Sequence, residues 1–283
     1  MTAMKTARMT GGAAMVEGLL RNGVDTLFAL PGVQLNHFFD AVYDKRNAIR
    51  VLNARHEQGA AYMAFGYAIA TGRVGAFAVV PGPGILNTTA ALSTAYGCSQ
   101  PVLAITGQIN ATAIDRGYGL LHEIRDQPGT LASVNKWVHR IDHPVDAPAA
   151  MDEAFRHLQG GRPQPVTVEM AMDMMGLESL VPAPEAAVEV RPPEADPDLI
   201  AAAAKMLGAA KAPMIFVGSG AYHAAAEVRA LAEMLQAPVV AYQNGRGILD
   251  ERHYLAQVHP AGNTLWADCD VALSIGCRLQ PER

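Results

Sequence analysis

Glu57 is the residue of this chain whose type and surroundings most suit chemistry. It lies in Arg55-His56-Glu57-Gln58-Gly59-Ala60-Ala61, between a short apolar run (Ile49 to Asn53) and a long apolar stretch of helical character. Two Gly/Pro turns flank it in sequence, Pro31-Gly32-Val33 before it and Pro81-Gly82-Pro83-Gly84 after it. An acid in the first turn of a helix is favoured by the helix dipole whatever else it does. Its position just past a strand, however, is where open α/β sheets bind ligands. Gly59, Ala60, Ala61 and Ala64 keep the helix slim, so a flat ring could reach the carboxyl. There the group is expected to be partly desolvated and to share a proton with a ring nitrogen. No second acid, Ser/His pair or metal cluster stands beside it in sequence, so chemistry beyond proton sharing calls for a cofactor.

The elements that must hold this acid alternate between strand and helix. The first part of the chain predicts a helix over 10–22 capped by Thr10, a strand over 26–30 and a helix over 35–44. Next come a strand over 49–53, a helix over 56–71 ending at Gly72, and a strand over 74–80. A helix over 85–96, a strand over 101–106, a loop region over 107–134, a helix over 147–158 and a strand over 165–170 follow. This is the pattern of a doubly wound parallel α/β sheet with helices on both faces. A proline-bearing stretch then reads as a linker. The organisation expected is a first domain over 1–180, a linker over 181–198 and a second α/β domain over 199–283. The second is Rossmann-like, shows three clear strands and reads as incomplete.

Composition excludes several functions. The chain has 283 residues, half of them hydrophobic, and a formal net charge of −5 with both signs interspersed. No basic run suggests nucleic acid. No apolar stretch reaches the ~18–20 residues of a membrane span. Cys98, Cys269 and Cys277 are odd in number and widely spaced, which suits free thiols in a cytoplasmic protein. His37, His139, His143, His157, His253 and His259 lack metal-ligand spacing, and no metal site is expected. Met172, Met174 and Met175 read as packing at a strand end. Neither Gly/Pro turn has P-loop spacing, and Gly218-Ser219-Gly220 has His223 where a third glycine would complete a dinucleotide fingerprint.

Taken in order, Thr10-Gly11, Pro31-Gly32, Arg55 to Ala61, Ala70-Thr71-Gly72, Gly82-Pro83-Gly84 with Asn87, and Ala104-Ile105-Thr106-Gly107-Gln108 resemble the pyrimidine-binding domain of thiamine-diphosphate enzymes. The similarity is to the acetolactate synthase-like branch, over about residues 8 to 175. Lys211 to Leu279 resembles the start of that branch's central domain, through Val217-Gly218-Ser219-Gly220, Gly245-Arg246-Gly247 and Ser274-Ile275-Gly276-Cys277-Arg278. The resemblance implies that Glu57 hydrogen-bonds the aminopyrimidine ring nitrogen. This favours the imino form, which removes the thiazolium proton so that a 2-oxoacid can be attacked and decarboxylated. It implies a pocket lined by Pro31, Gly32, Val33, Pro83 and Asn87.

Leu121-His122-Glu123 stands where acetolactate synthases carry Phe-Gln-Glu, which makes His122 a candidate substrate-side acid/base; a solvated loop histidine is the alternative. Pro81 replaces the small polar residue usual before Gly-Pro-Gly. The family's Gly-Asp-Gly motif, which holds Mg²⁺ and the diphosphate, does not occur in this sequence. The chain alone is therefore expected to be inactive, being a truncated part of a longer enzyme or one half of a split enzyme; the alternative is a non-catalytic binding or assembly subunit that pairs with a separate diphosphate-binding chain. The family's shared active sites imply a homodimer or higher oligomer, with the apolar helix over 56–71 at the seam. Structural FAD is a further, weaker implication of the central segment. A nucleotide-binding α/β protein using Gly218 to Gly220 is the alternative from another class.

Overall fold

In the computed structural model, which describes residues 5–183 and 186–279, the chain divides into two units, Met1–Pro192 and Pro193–Arg283. The strands of the first are β1 (Thr6–Thr10), β2 (Thr26–Leu30), β3 (Arg50–Asn53), β4 (Gly75–Val79), β5 (Val102–Gln108), β6 (Trp137–Ile141), β7 (Val166–Ala171) and β8 (Glu178–Pro182). Its helices are α1 (Gly11–Arg21), α2 (Asn36–Asp44), α3 (Glu57–Thr71), α4 (Pro83–Leu86), α5 (Thr89–Gly97), α6 (Gln127–Ala132), α7 (Ala147–Gln159) and α8 (Met172–Gly176).

Six strands make one parallel sheet in the order β3-β2-β4-β5-β7-β6. β4, β5 and β7 are buried at every position, as central strands covered on both faces must be. Side chains alternate between two cores. Leu103 and Ile105 join Met15, Leu19, Phe38 and Phe155 on the α1, α2 and α7 side. Phe77, Val79 and Ala104 meet Ala60, Ala64 and Leu92 of α3 and α5 on the other. The doubly wound architecture expected from the sequence is the one observed.

Local chemistry sets the element ends. Thr10 caps α1 by accepting the Ala13 N–H at 3.2 Å. The His56 ring nitrogen Nδ1 accepts the Gln58 N–H at 3.1 Å and starts α3. Helix α3 sits directly on β4: a Cβ at Gly75 would lie 2.0 Å from the Ala64 carbonyl oxygen.

Four expectations need correction. The region over 107–134 is not all loop, since Asp126 accepts the Gly129 N–H at 2.8 Å and caps α6. The helix expected over 85–96 is broken at Asn87 and Thr88 into α4 and α5. Val181 and Pro182 are not in an extended linker: Glu178–Pro182 pairs antiparallel with Thr6–Thr10 outside the main sheet. Beyond it, Val188 donates its N–H to Asn22 Oδ1 at 2.9 Å.

The second unit has four strands, not three: β9 (Pro213–Val217), β10 (Val239–Ala241), β11 (Ala256–Gln257) and β12 (Val271–Ile275), parallel in the order β11-β10-β9-β12. The two-residue β11 is too short to show a period. The helices are α9 (Pro197–Ala209), α10 (Ala225–Leu235) and α11 (His259–Trp266). Ile215, Val217, Val228, Ala232 and Val239 form its core. Among the described residues no helix is long and apolar enough to cross a membrane.

Candidate active site

The six-stranded sheet changes direction of winding between β2 and β4. β3 lies beyond β2 on one side, and β5 lies beyond β4 on the other. Loops leaving the carboxyl ends of such a strand pair diverge and open a crevice. The loop after β2 is Pro31-Gly32-Val33, and the loop after β4 is Val80 to Gly84. Val80 joins them. A Cβ at Gly32 would lie 2.3 Å from Val80 Cγ1, and one at Gly84 would lie 2.6 Å from Cγ2. Only with both glycines can the two turns close on one valine side chain.

Glu57, first residue of α3, enters from the end of β3. The Asn87 amide Nδ2 donates to Glu57 Oε2 at 3.0 Å. A Cβ at Gly84 would sit 3.7 Å from Glu57 Oε1, so this oxygen faces a wall without side chain. Oε1 accepts no hydrogen bond among the described residues, leaving it available to an incoming donor. Glu57 is half-buried, and Pro31, Val33, Pro83 and Asn87 are exposed, so the site is open on one side. Asn87 lies at the C-terminal end of α4, between α4 and α5.

Gly82 has φ +58° and ψ −124°, a backbone that suits only glycine. A Cβ there would strike the His122 carbonyl oxygen at 2.5 Å. His122 thus packs its own backbone on the turn. It has φ +71°, uncommon for a residue other than glycine. Its ring Nδ1 lies 2.9 Å from Gln34 Oε1. The other end of that buried amide, Nε2, donates to the Leu121 carbonyl at 3.4 Å. This assignment of the amide puts the proton on Nδ1 and leaves Nε2 of the neutral ring as an acceptor.

Four residues that sequence reasoning did not single out complete the surroundings: Gln34, Gln127, Arg140 and Glu169. Gln127 Oε1 accepts the Gly82 N–H at 3.0 Å. Gln127 Nε2 donates to the Gly107 carbonyl at 3.1 Å and to Glu169 Oε2 at 2.6 Å. Arg140 Nε donates to Glu169 Oε1 at 2.5 Å. Burial pushes the Glu169 carboxyl up, and the bonds from Arg140 and Gln127 pull it partly back. One signal was present: an acid in the middle of the apolar run Val166–Ala171, where a buried strand should carry none.

Four other histidines have structural partners. His139 and His157 stack on Trp137, each with ring centroids 5.0 Å away. His143 caps a short turn, and His253 contacts Glu233 at 3.0 Å. Met175 and Met174 pack in the first core.

In the second unit the glycines after β9 are already engaged. The Gly218 N–H donates to the Ile275 carbonyl and the Gly220 N–H to the Gly276 carbonyl, both at 3.1 Å. A phosphate would find those two donors taken. A cavity of about 240 Å³ lies at the ends of β10 and β11, lined by Gln243, Arg246, Leu249, Gln257 and His259 among others.

The first unit is thus a doubly wound α/β domain whose single engaged acid and glycine-walled crevice sit at the winding reversal. Residues 9–129 match the family described as "Thiamine pyrophosphate enzyme, N-terminal TPP binding domain", and residues 200–283 match "Thiamine pyrophosphate enzyme, central domain". The chain belongs to the thiamine-pyrophosphate (thiamine-diphosphate) enzyme family. Among its relatives is a probable 2-ketoarginine decarboxylase, AruI, of Pseudomonas aeruginosa, 33% identical over 96% of this chain and 49% of that protein. An acetolactate synthase of Arthrospira platensis is 36% identical over 88% of this chain and 44% of its own length. A probable acetolactate synthase large subunit of Methanocaldococcus jannaschii is 33% identical over 96% and 47%, respectively. The chain spans about half the length of these relatives.

Proposed function

We propose that this chain supplies the pyrimidine-binding and central parts of a thiamine-diphosphate-dependent 2-oxoacid decarboxylase or carboligase, a lyase or transferase of the acetolactate synthase type. The observation that carries this is the Asn87–Glu57 hydrogen bond of 3.0 Å at the winding reversal. Bound thiamine diphosphate would supply the electron sink that 2-oxoacid decarboxylation needs. The chain's own residues have narrower tasks. Glu57 Oε1 shares a proton with a pyrimidine ring nitrogen. Asn87 holds the other oxygen, so the carboxyl presents one fixed oxygen. Gly32, Gly84 and the Pro31, Val33 and Pro83 edges form a thin wall that a flat ring can approach. These residues fit the pyrimidine half of the cofactor. His122, with Nε2 free as acceptor, serves as a substrate-side acid/base.

Mg²⁺ and the diphosphate are held by residues outside this chain in this reading, on the same longer protein or on a separate diphosphate-binding subunit. The open side of the site then faces that partner in a homodimer or higher oligomer. The apolar surface of α3 and α5 beside the site, with Tyr62, Met63, Ile69 and Tyr96 exposed, forms the seam. Supplied with thiamine diphosphate, Mg²⁺ and pyruvate, the chain alone is expected to show no turnover, and robust carbon dioxide release would refute this division of labour. A thermal-shift series provides the second check. Thiamine diphosphate should raise the melting temperature more than NAD or FAD does. The opposite ranking would favour nucleotide or flavin binding by the second unit.

A further inference from the structure

Beneath the Pro81–Gly84 turn lie two polar side chains with almost no access to solvent. Gln127 and Glu169 are 1% and 0% exposed. The Gln127 amide has two donors and one acceptor in use, and their directions are not interchangeable. Its Nε2 meets two acceptors, the Gly107 carbonyl at 3.1 Å and the Glu169 carboxyl at 2.6 Å. Its Oε1 must therefore face the Gly82 N–H, at 3.0 Å. Arg140 holds the far oxygen of Glu169 and stops the carboxyl from rotating.

Packing alone does not call for this arrangement. Apolar side chains of similar volume often serve as well in place of a buried charged group. The arrangement determines which way one peptide group points. That peptide belongs to Gly82, whose φ of +58° has no side-chain preference to hold it. From Gly82 the backbone enters α4 directly. The Leu86 N–H donates to the Gly82 carbonyl and the Asn87 N–H to the Pro83 carbonyl, both at 3.0 Å. One turn of helix therefore separates the clamped peptide from the amide that meets Glu57.

We propose that Gln127 and Glu169 are positioning residues: a buried carboxylate–amide relay orients the Gly82 peptide and, through α4, the Asn87 amide against Glu57. The relay needs no ligand to exist, and only its use in thiamine-diphosphate binding rests on the function proposed above. Neither residue touches the cofactor site itself.

Two variants of the full chain test it, Gln127→Met and Glu169→Gln, each ¹⁵N-labelled. Gln127→Met keeps length and removes the amide. Glu169→Gln keeps shape but turns a donor toward Gln127, which forces that amide to flip and present its NH₂ to the Gly82 N–H. Both should displace the Gly82 backbone and Asn87 side-chain amide resonances in proton–nitrogen spectra. Both should also weaken thiamine diphosphate binding about tenfold. If the Gln127 variant fails to fold, the isosteric Glu169 variant gives the answer. Resonances of Gly82 and Asn87 that stay at their parental positions in folded variants overturn the relay. If those resonances move but the parent chain binds no thiamine diphosphate, the relay stands and the function reading falls.

Discussion

Asn87 gives Glu57 one fixed oxygen, and a hydrogen bond to a charged group contributes roughly 1.5–3 kcal/mol. The Asn87→Ala variant should therefore bind thiamine diphosphate about tenfold or more weakly, with the fold unchanged because Asn87 is exposed. Titration calorimetry checks this, and unaltered affinity would remove Asn87 from the site. At His122 the prediction concerns a proton. The Gln34 contact of 2.9 Å places it on Nδ1. Ring ¹⁵N shifts of His122 should report that tautomer in the parent chain and lose it in Gln34→Leu. An Nε2–H ring in the parent would show that Gln34 does not set it.

At the scale of elements, the turn after β4 and the relay beneath it have measurable costs. Gly82→Ala places a side chain at φ +58° and 2.5 Å from the His122 carbonyl oxygen. It should lower unfolding stability by about 1–3 kcal/mol, seen as an earlier urea midpoint; an unmoved midpoint would mean the turn relaxes freely. Glu169 gives a pH dependence. Burial raises its folded-state titration above the ordinary value of 4.5. Relative to the unfolded chain, folding thus disfavours ionisation of this carboxyl, so the contribution is complete below about pH 4.5 and is lost as pH rises through the raised value. Glu169→Gln cannot ionise. Its stability relative to the parent should improve from pH 4 to pH 7 in urea titrations, and a flat or falling difference would contradict this.

What could be read in advance divides along physical lines. Strand β2 was predicted with the observed bounds because Leu27 to Leu30 is an apolar run between Thr26 and Pro31. Helix α3 was evident despite lacking an amphipathic face, through Gly72 and the run of alanines. Strand β6 was hidden because its residues Trp137, Val138, His139, Arg140 and Ile141 form an edge, mostly half-buried. Helix α6 was hidden because six residues give no period. The relay was not legible for a deeper reason: Gln127 and Glu169 are 42 residues apart, and only the sheet order brings them together. Glu57 and Asn87 were each singled out, but they are 30 residues apart, and periodicity alone does not signal that they meet.

At the scale of the whole molecule, the two main cores of the sheet lie within the first unit, Met1–Pro192. A fragment ending at Pro192 should therefore melt in a single cooperative transition by circular dichroism; a broad, non-cooperative melt would show that the second unit is needed. The central claim is more local than the assembly. It holds that a pyrimidine nitrogen meets Glu57 Oε1 between the two glycine turns. The most direct test is a thiamine diphosphate titration of the ¹⁵N-labelled full chain and of its Glu57→Gln variant, followed by NMR. Shifts concentrated at residues 32, 33, 57, 82 and 84–87, abolished in the variant, are the predicted result. Shifts centred on Gly218 to Gly220, or the same pattern in both chains, would contradict it.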